Sequence, residues 1–286
     1  MARPPALDKT APLLHISPKI AGGSIMSDTN STPSVDRLPD AAHQAAILLM
    51  AARTNPALKL DAIPAEIRPS NRPEAYEIQH LVAASFESIG GWKVGAAGPE
   101  APPQCGALPA INIKPSPATM SSDTLRGIEA EICFRMGADL PPREMPYTRD
   151  QVIDAIATAH PVIETLDSRF ADPDAVDAFS GLADTQSHGG LVYGEGLARW
   201  QQIDFAVETV EQYVDGGLHM QRTGNPVGDM IRLVVWMANE GAAWAGGLKA
   251  GQFVTCGSWT GKSVVAEHAK VRVFFPHVGE ARVDFV

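Results

Sequence analysis

The chain has 286 residues, 45% hydrophobic and 20% charged, enough for a full core in one large domain or a domain with a small companion. A net charge of -10 without any basic block argues against a nucleic-acid or anionic-membrane surface, and no apolar run approaches the roughly 20 residues that span a bilayer. Cys105, Cys133 and Cys256 are odd in number and far apart, with no C-x-x-C spacing, which fits a reducing cytoplasm rather than a disulfide framework.

Residues 1–35 are rich in Pro, Ser, Thr and Ala without a period and read as a disordered tail, with Met26 an alternative start. Arg3, Lys9 and Lys19 precede no apolar h-region, so no signal peptide is read. An Ala-rich helical period covers 38–53, and a second helix, opened by Pro73, carries Ala75, Ile78, Leu81, Val82 and Phe86. These two helices are expected to form a small helical N-terminal subdomain over 36–90, closed by Gly90-Gly91, ahead of a β-rich domain over 91–286.

Trp92-Lys93-Val94 reads as a short strand, and the Gly/Pro-rich stretch 95–109 as a loop. Lys93 is either a snorkelling surface lysine or a partly desolvated ammonium able to bind a carboxylate or shuttle a proton.

From 127 to 136, Ile128, Ala130, Ile132 and Phe134 alternate with Glu129, Glu131 and Cys133, the period of a strand. Glu129 and Glu131 therefore share a face. Glu164 stands in a second apolar, β-branched run, flanked on its own face by Val162 and Leu166. Three carboxylates on two apolar strands form either an oxygen-ligand site for Mg²⁺ or Mn²⁺ or, for the E-x-E pair, the wet face of an antiparallel sheet.

Thr148-x-x-Gln151 is a capping box for a helix expected to end before Pro161. The Asp/Gly-rich stretch 167–190 reads as a long ordered loop. Strands are expected at 191–194, 204–214 and 218–221, and the longest helix over about 226–240, with Asn225-Pro226 as N-cap and N1. Short strands at 252–256, 263–266, 270–275 and 280–286 close the chain. Many short strands with few helices give an α+β class around a rolled or barrel-like mixed sheet.

An ordered set of motifs resembles the fumarylacetoacetate hydrolase superfamily, in its branch of 2-keto-4-pentenoate hydratases and 4-oxalocrotonate decarboxylases. The matching stretches include Gly91-Trp92-Lys93-Val94-Gly95, Gly127-Ile128-Glu129-Ala130-Glu131, Glu164-Thr165-Leu166-Asp167-Ser168-Arg169-Phe170, Ala183-Asp184 and Gly257-Ser258-Trp259-Thr260-Gly261. The resemblance implies a rolled-sheet catalytic domain, a divalent metal on Glu129, Glu131 and Glu164, and a small 2-oxo acid chelating it beside Lys93. Ser258, Thr260 and Arg169 are then candidates for substrate binding, although Arg169 equally suits a structural pair with Asp167 or Asp172. A homo-oligomer is also implied. The Trp236, Met237 and Trp244 cluster would serve either its interface or the core.

The expected reaction is hydration of 2-hydroxypenta-2,4-dienoate to 4-hydroxy-2-oxopentanoate in aromatic catabolism. The alternatives are decarboxylation of 4-oxalocrotonate, acylpyruvate C–C hydrolysis with His80 beside Glu77 or Glu74 as base, or a non-catalytic binding pseudoenzyme. The chain departs from the pattern where a loop acid would stand: Gln104 can hydrogen-bond a water but not take its proton. His188 is an acid/base candidate or a surface residue, and Cys256 reads as a small buried hydrophobe.

Overall fold

The protein is described here by a computed structural model covering residues 40–122 and 124–286; the tail read over 1–35 and the alternative start at Met26 lie outside the described residues. Helix α1 (Ala41–Thr54) is capped by Asp40, whose side chain accepts from the His43 amide. Helix α2 (Arg72–Ala84) is capped by Asn71 with Pro73 in its first turn, as that residue's fixed φ favours. Their apolar faces meet through Ala45, Leu49, Ala75, Ile78 and Val82, and Phe170 and Leu182 complete this cluster.

Among the described residues thirteen strands follow, in two mixed sheets with few helices. The larger sheet contains β1 (Ile89–Gly95), β2 (Gln104–Pro109), β3 (Ile113–Pro115), β5 (Gly127–Met136), β6 (Ile156–Leu166), β7 (His188–Tyr193) and β10 (Phe253–Cys256) in the order β2-β1-β10-β5-β6-β7-β3, with β11 (Ser263–Val264) paired to β5. The second runs β4-β13-β12-β8-β9, from β4 (Ala118–Met120), β8 (Thr209–Val214), β9 (Gly217–Thr223), β12 (Lys270–Phe275) and β13 (Gly279–Phe285). Three short helices, α3 (Arg149–Asp154), α4 (Ala178–Ala183) and α5 (Met230–Trp236), complete the α+β architecture. Among the described residues no helix is long and apolar enough to cross a membrane.

Strand β5 occupies the predicted 127–136, and the Thr148–Gln151 capping box is formed. Three expectations give way and one is met in a short form. The 95–109 loop contains β2, an edge strand on which Pro109 leaves no buried donor unpaired. The helix after Thr148 does end before Pro161, at Asp154, and Ile156–Leu166 then joins the sheet with Pro161 inside it. Gly194 donates to the Pro161 carbonyl just past the end of β7. The missing N–H therefore points to that same edge, where no β7 partner is needed. Helix α4 and the start of β7 lie within the supposed 167–190 loop. Asn225 binds the Cys256 and Gly257 carbonyls, so the helix expected from 226 starts later, at Met230 under an Asp229 cap; it spans 7 residues against the 14 of α1, so it is not the longest, and it loosens into a π-turn over Met237–Gly241.

Cross-strand register decides which side chains share a face. Lys93 of β1 lies opposite Thr255 of β10, Thr255 opposite Cys133 of β5, and Glu129 opposite Glu164 of β6. Directly paired residues point to the same side of a sheet. Lys93, Thr255, Glu131, Glu129 and Glu164 therefore project from one face, while Trp92, Val94, Val254, Ile128, Ala130, Ile132 and Phe134 turn to the other and fill the main core.

Candidate metal centre

The face carrying the acids bounds a cavity of about 290 Å³, lined by Lys93, Glu129, Glu131, Gln186, Ser258 and Lys262 among others. Glu129, Glu131 and Glu164 each bring a carboxylate oxygen within 4.8 Å of the other two. Glu131 is 3% exposed and Glu164 wholly buried. Three carboxylates packed that closely out of water repel one another unless a cation or protons intervene.

The chain supplies part of that compensation. Lys93 Nζ stands 2.7 Å from Glu164 Oε1 and also donates to the Gln186 carbonyl at 3.2 Å. His188, fully buried, contacts the same Glu164 oxygen through Nδ1 at 3.0 Å. Thr255 Oγ1 donates to Glu131 Oε2. Burial alone would raise the Glu164 pKa, but Lys93 and His188 outweigh it and hold the carboxyl below the usual range. For Glu131 burial wins, reinforced by the charges of Glu164 and Glu129, and its pKa rises well above 4.5. Glu129 is raised too, by burial first and Glu164 next, with Lys93 opposing. Burial pushes His188 down to about 4, so its ring is neutral at physiological pH. With Glu164 ionised, Nδ1–H is the donor to it. For Lys93, burial is overcome by Glu164 and Glu129 and the ammonium is held charged.

Glu164 Oε2 is buried without a hydrogen-bond partner. An orphaned carboxylate oxygen beside two acids with raised pKa values is what an oxygen-ligand cation site needs, and the three glutamates could bind a divalent metal. The wet-face reading of the E-x-E pair fails for Glu131, which is buried.

The remaining site expectations divide. Lys93 and Ser258 line the cavity. His188 is neither exposed nor among its lining residues; it supports Glu164 from behind. Gln104, opposite Gly95 at the start of β2, lines a neighbouring cavity instead. Arg169 does not reach either cavity. Its guanidinium is spent on the Asp184 carboxylate and the carbonyls of His188 and Asp184, so its ion-pair partner is Asp184 rather than Asp167 or Asp172. Thr260 Oγ1 accepts from the Ala130 amide and donates to Gln212 Oε1 at 3.1 Å, a structural role. His80 stacks on Trp244 with ring centroids 4.0 Å apart, away from the cavity, while Glu74 folds back on Ser70 and Asn71. Met237 is in the core, whereas Trp244 is partly exposed.

Two participants were not singled out from sequence. Thr255 gives no signal by itself, but its place opposite Lys93 gives it one once the register is known. Gln186 lies in a turn where Thr185, Gln186 and Ser187 have φ values of 52, 53 and 58, a left-handed run in which no residue is glycine. That conformation is costly for ordinary side chains and is typical of functional turns.

No protein-family model and no curated protein matches the chain. Solved structures do. A 4-oxalocrotonate decarboxylase from Pseudomonas putida G7, complexed with magnesium and adipate, matches with a TM-score of 0.73 at 21% identity, over 85% of this chain and 97% of that one. The same enzyme complexed with calcium and acetate gives 0.71 at 22%, again over 85% and 97%. A protein proposed as a fumarylacetoacetate hydrolase family member from Yersinia pestis CO92 gives 0.53 at 14%, over 71% and 94%. The chain is thus similar in fold to the fumarylacetoacetate hydrolase superfamily and to the branch that its motifs resemble.

Proposed function

We propose that the chain is a divalent-metal-dependent lyase acting on a small 2-oxo acid. The observation that carries this reading is the cluster of Glu129, Glu131 and Glu164 within 4.8 Å, of which Glu129 and Glu131 line a cavity beside the Lys93 ammonium. A similar fold in a decarboxylase complexed with magnesium supports it. A divalent cation on these glutamates would draw electron density from a chelating 2-oxo group and ease enolisation. The carboxylate of the same substrate would meet Lys93 and, at the cavity wall, Ser258.

Hydration of 2-hydroxypenta-2,4-dienoate is one course. A proton delivered to C5 gives the conjugated 2-oxo-3-enoate, water oxygen then bonds C4, and a proton goes to C3. Lys93, which lines the cavity, would move these protons. Decarboxylation of 4-oxalocrotonate is the second course, in which the C–C bond to the departing carboxylate breaks and its electron pair passes into the dienolate. Gln104 favours this course, because it lies in the neighbouring cavity and cannot take a proton from water.

The test follows the dienol absorbance of 2-hydroxypenta-2,4-dienoate in metal-free protein, with and without Mn²⁺, beside Glu131→Ala. Decay requiring both metal and Glu131 is expected, with product analysis separating hydration from ketonisation. CO₂ release from 4-oxalocrotonate tests the second course. Absence of any metal-dependent reaction with either compound, while Mn²⁺ binds, overturns the proposal.

A further inference from the structure

We propose that the cavity next to the metal centre receives the far end of the substrate, and that Arg72 there selects a tail ending in an anionic group. The inference rests on reading the first cavity as a 2-oxo acid site and adds what the acid carries at its other end.

The second cavity has a volume of about 430 Å³ and shares Gly95, Gln186, Gly257 and Ser258 with the first. Two of these four carry no side chain. Gly257 has φ +70, and a Cβ there would stand 3.2 Å from Val227 Cγ1; one on Gly95 would come within 3.9 Å of the Gly257 Cα. The junction of the two cavities is thus lined by bare backbone, which suits an extended ligand passing through.

Beyond the junction the walls are alanines, prolines and Val227, with Arg72 and Gln104 adding polarity. Among the described residues Arg72 is the one cation lining this cavity, and no carboxylate lines it, whereas Glu129, Glu131 and Asp174 line the first. Arg72 Nη1 donates to the Pro103 carbonyl at 3.3 Å, and among the described residues no carboxylate pairs with its guanidinium. Four of its five N–H donors are left for a ligand. Arg232 secures the 98–101 segment by donating to the Gly98 and Ala101 carbonyls, so the wall that Arg72 braces is fixed from two sides. A planar, permanently charged fork in an apolar-walled pocket fits a carboxylate, sulfonate or phosphate, and Gln104 can donate to the same group.

The test is calorimetric binding to the full chain loaded with Mn²⁺, using two probes of equal carbon count, 2-oxoadipate and 2-oxohexanoate. The first should bind about 10- to 100-fold tighter. Arg72→Met should abolish that preference and leave 2-oxohexanoate unchanged, while Arg72→Lys should keep part of it. If Arg72→Met does not fold by circular dichroism, Arg72→Gln carries the same comparison. Equal affinities in the native protein, or a preference that survives the loss of Arg72, overturn the inference while the 2-oxo acid reading stands. Failure of both probes to bind while Mn²⁺ does removes the 2-oxo acid reading itself.

Discussion

Two buried ion pairs lie close together in this molecule and are built differently. In the first, Arg169 and Asp184 are 4% and 1% exposed and fully engaged. Asp184 accepts from the Ser168 hydroxyl, the Arg169 amide and the Arg169 guanidinium, and that guanidinium spends its other nitrogens on two carbonyls. In the second, Lys93 meets Glu164, but Glu164 Oε2 and His188 Nε2 are left without partners and two further carboxylates crowd in. Chemically similar pairs therefore do different work. The satisfied one locks the turn that follows β6. The unsatisfied one keeps ligand capacity in reserve, which is costly in a buried place unless something else completes it.

Breaking the unsatisfied pair should hit function hardest. Glu164→Gln keeps the shape but removes a ligand charge, and turnover should fall on the order of 10³-fold, since a metal contributes several kcal/mol to the transition state. The Mn²⁺-induced rise in melting temperature should vanish with it, and an unchanged rise would sink the assignment of Glu164 as a ligand. Arg169→Met should instead strike stability. It strands Asp184 as a buried, uncompensated charge, and urea denaturation of the metal-free protein should register a loss of about 3–5 kcal/mol.

His188→Phe tests the link between the two pairs with a smaller effect. It keeps the bulk but removes the donor that orients Glu164, and Mn²⁺ affinity should drop about 10- to 100-fold. An unchanged affinity would reduce His188 to packing. The gentlest probe is pH. Glu129 and Glu131 have raised pKa values in the folded, metal-free chain, so the folded state holds their protons above the ordinary value of 4.5. A cation must displace those protons. Apparent Mn²⁺ affinity should therefore decline as pH falls through the window between the raised values and 4.5, with proton release on binding. A flat affinity across that window would mean the two carboxylates are not ligands.

Much of the centre was legible in the sequence because strand period is a local property. Ile128, Ala130, Ile132 and Phe134 against Glu129 and Glu131 can be read from ten residues, and β5 has those bounds. Glu164 stood out as a charge in an apolar run. What could not be read was anything carried by partners distant in the chain. Pro161 announces a break, yet it lies within β6 because its missing donor falls where β7 ends. Gln104-Cys105-Gly106 looks like loop chemistry but pairs along β1. Asn225-Pro226 carries the signature of a helix start, and Asn225 instead ties down the Cys256–Gly257 backbone from across the fold.

The amino-acid order by itself determined the acid-bearing strands, the lysine before them and the α+β class, since these follow from alternation and residue type within short windows. Only the tertiary structure decided which polar residues are spare. Arg169, Thr260 and His188 have the chemistry of site residues, but Asp184, Gln212 and Glu164 claim them through contacts 15, 48 and 24 positions away. Arg72 gives one hydrogen bond to the Pro103 carbonyl, has no carboxylate partner among the described residues, and borders a cavity. A side chain's role depends on whether its hydrogen-bonding capacity is already used, and that is a property of packing, which no local window contains.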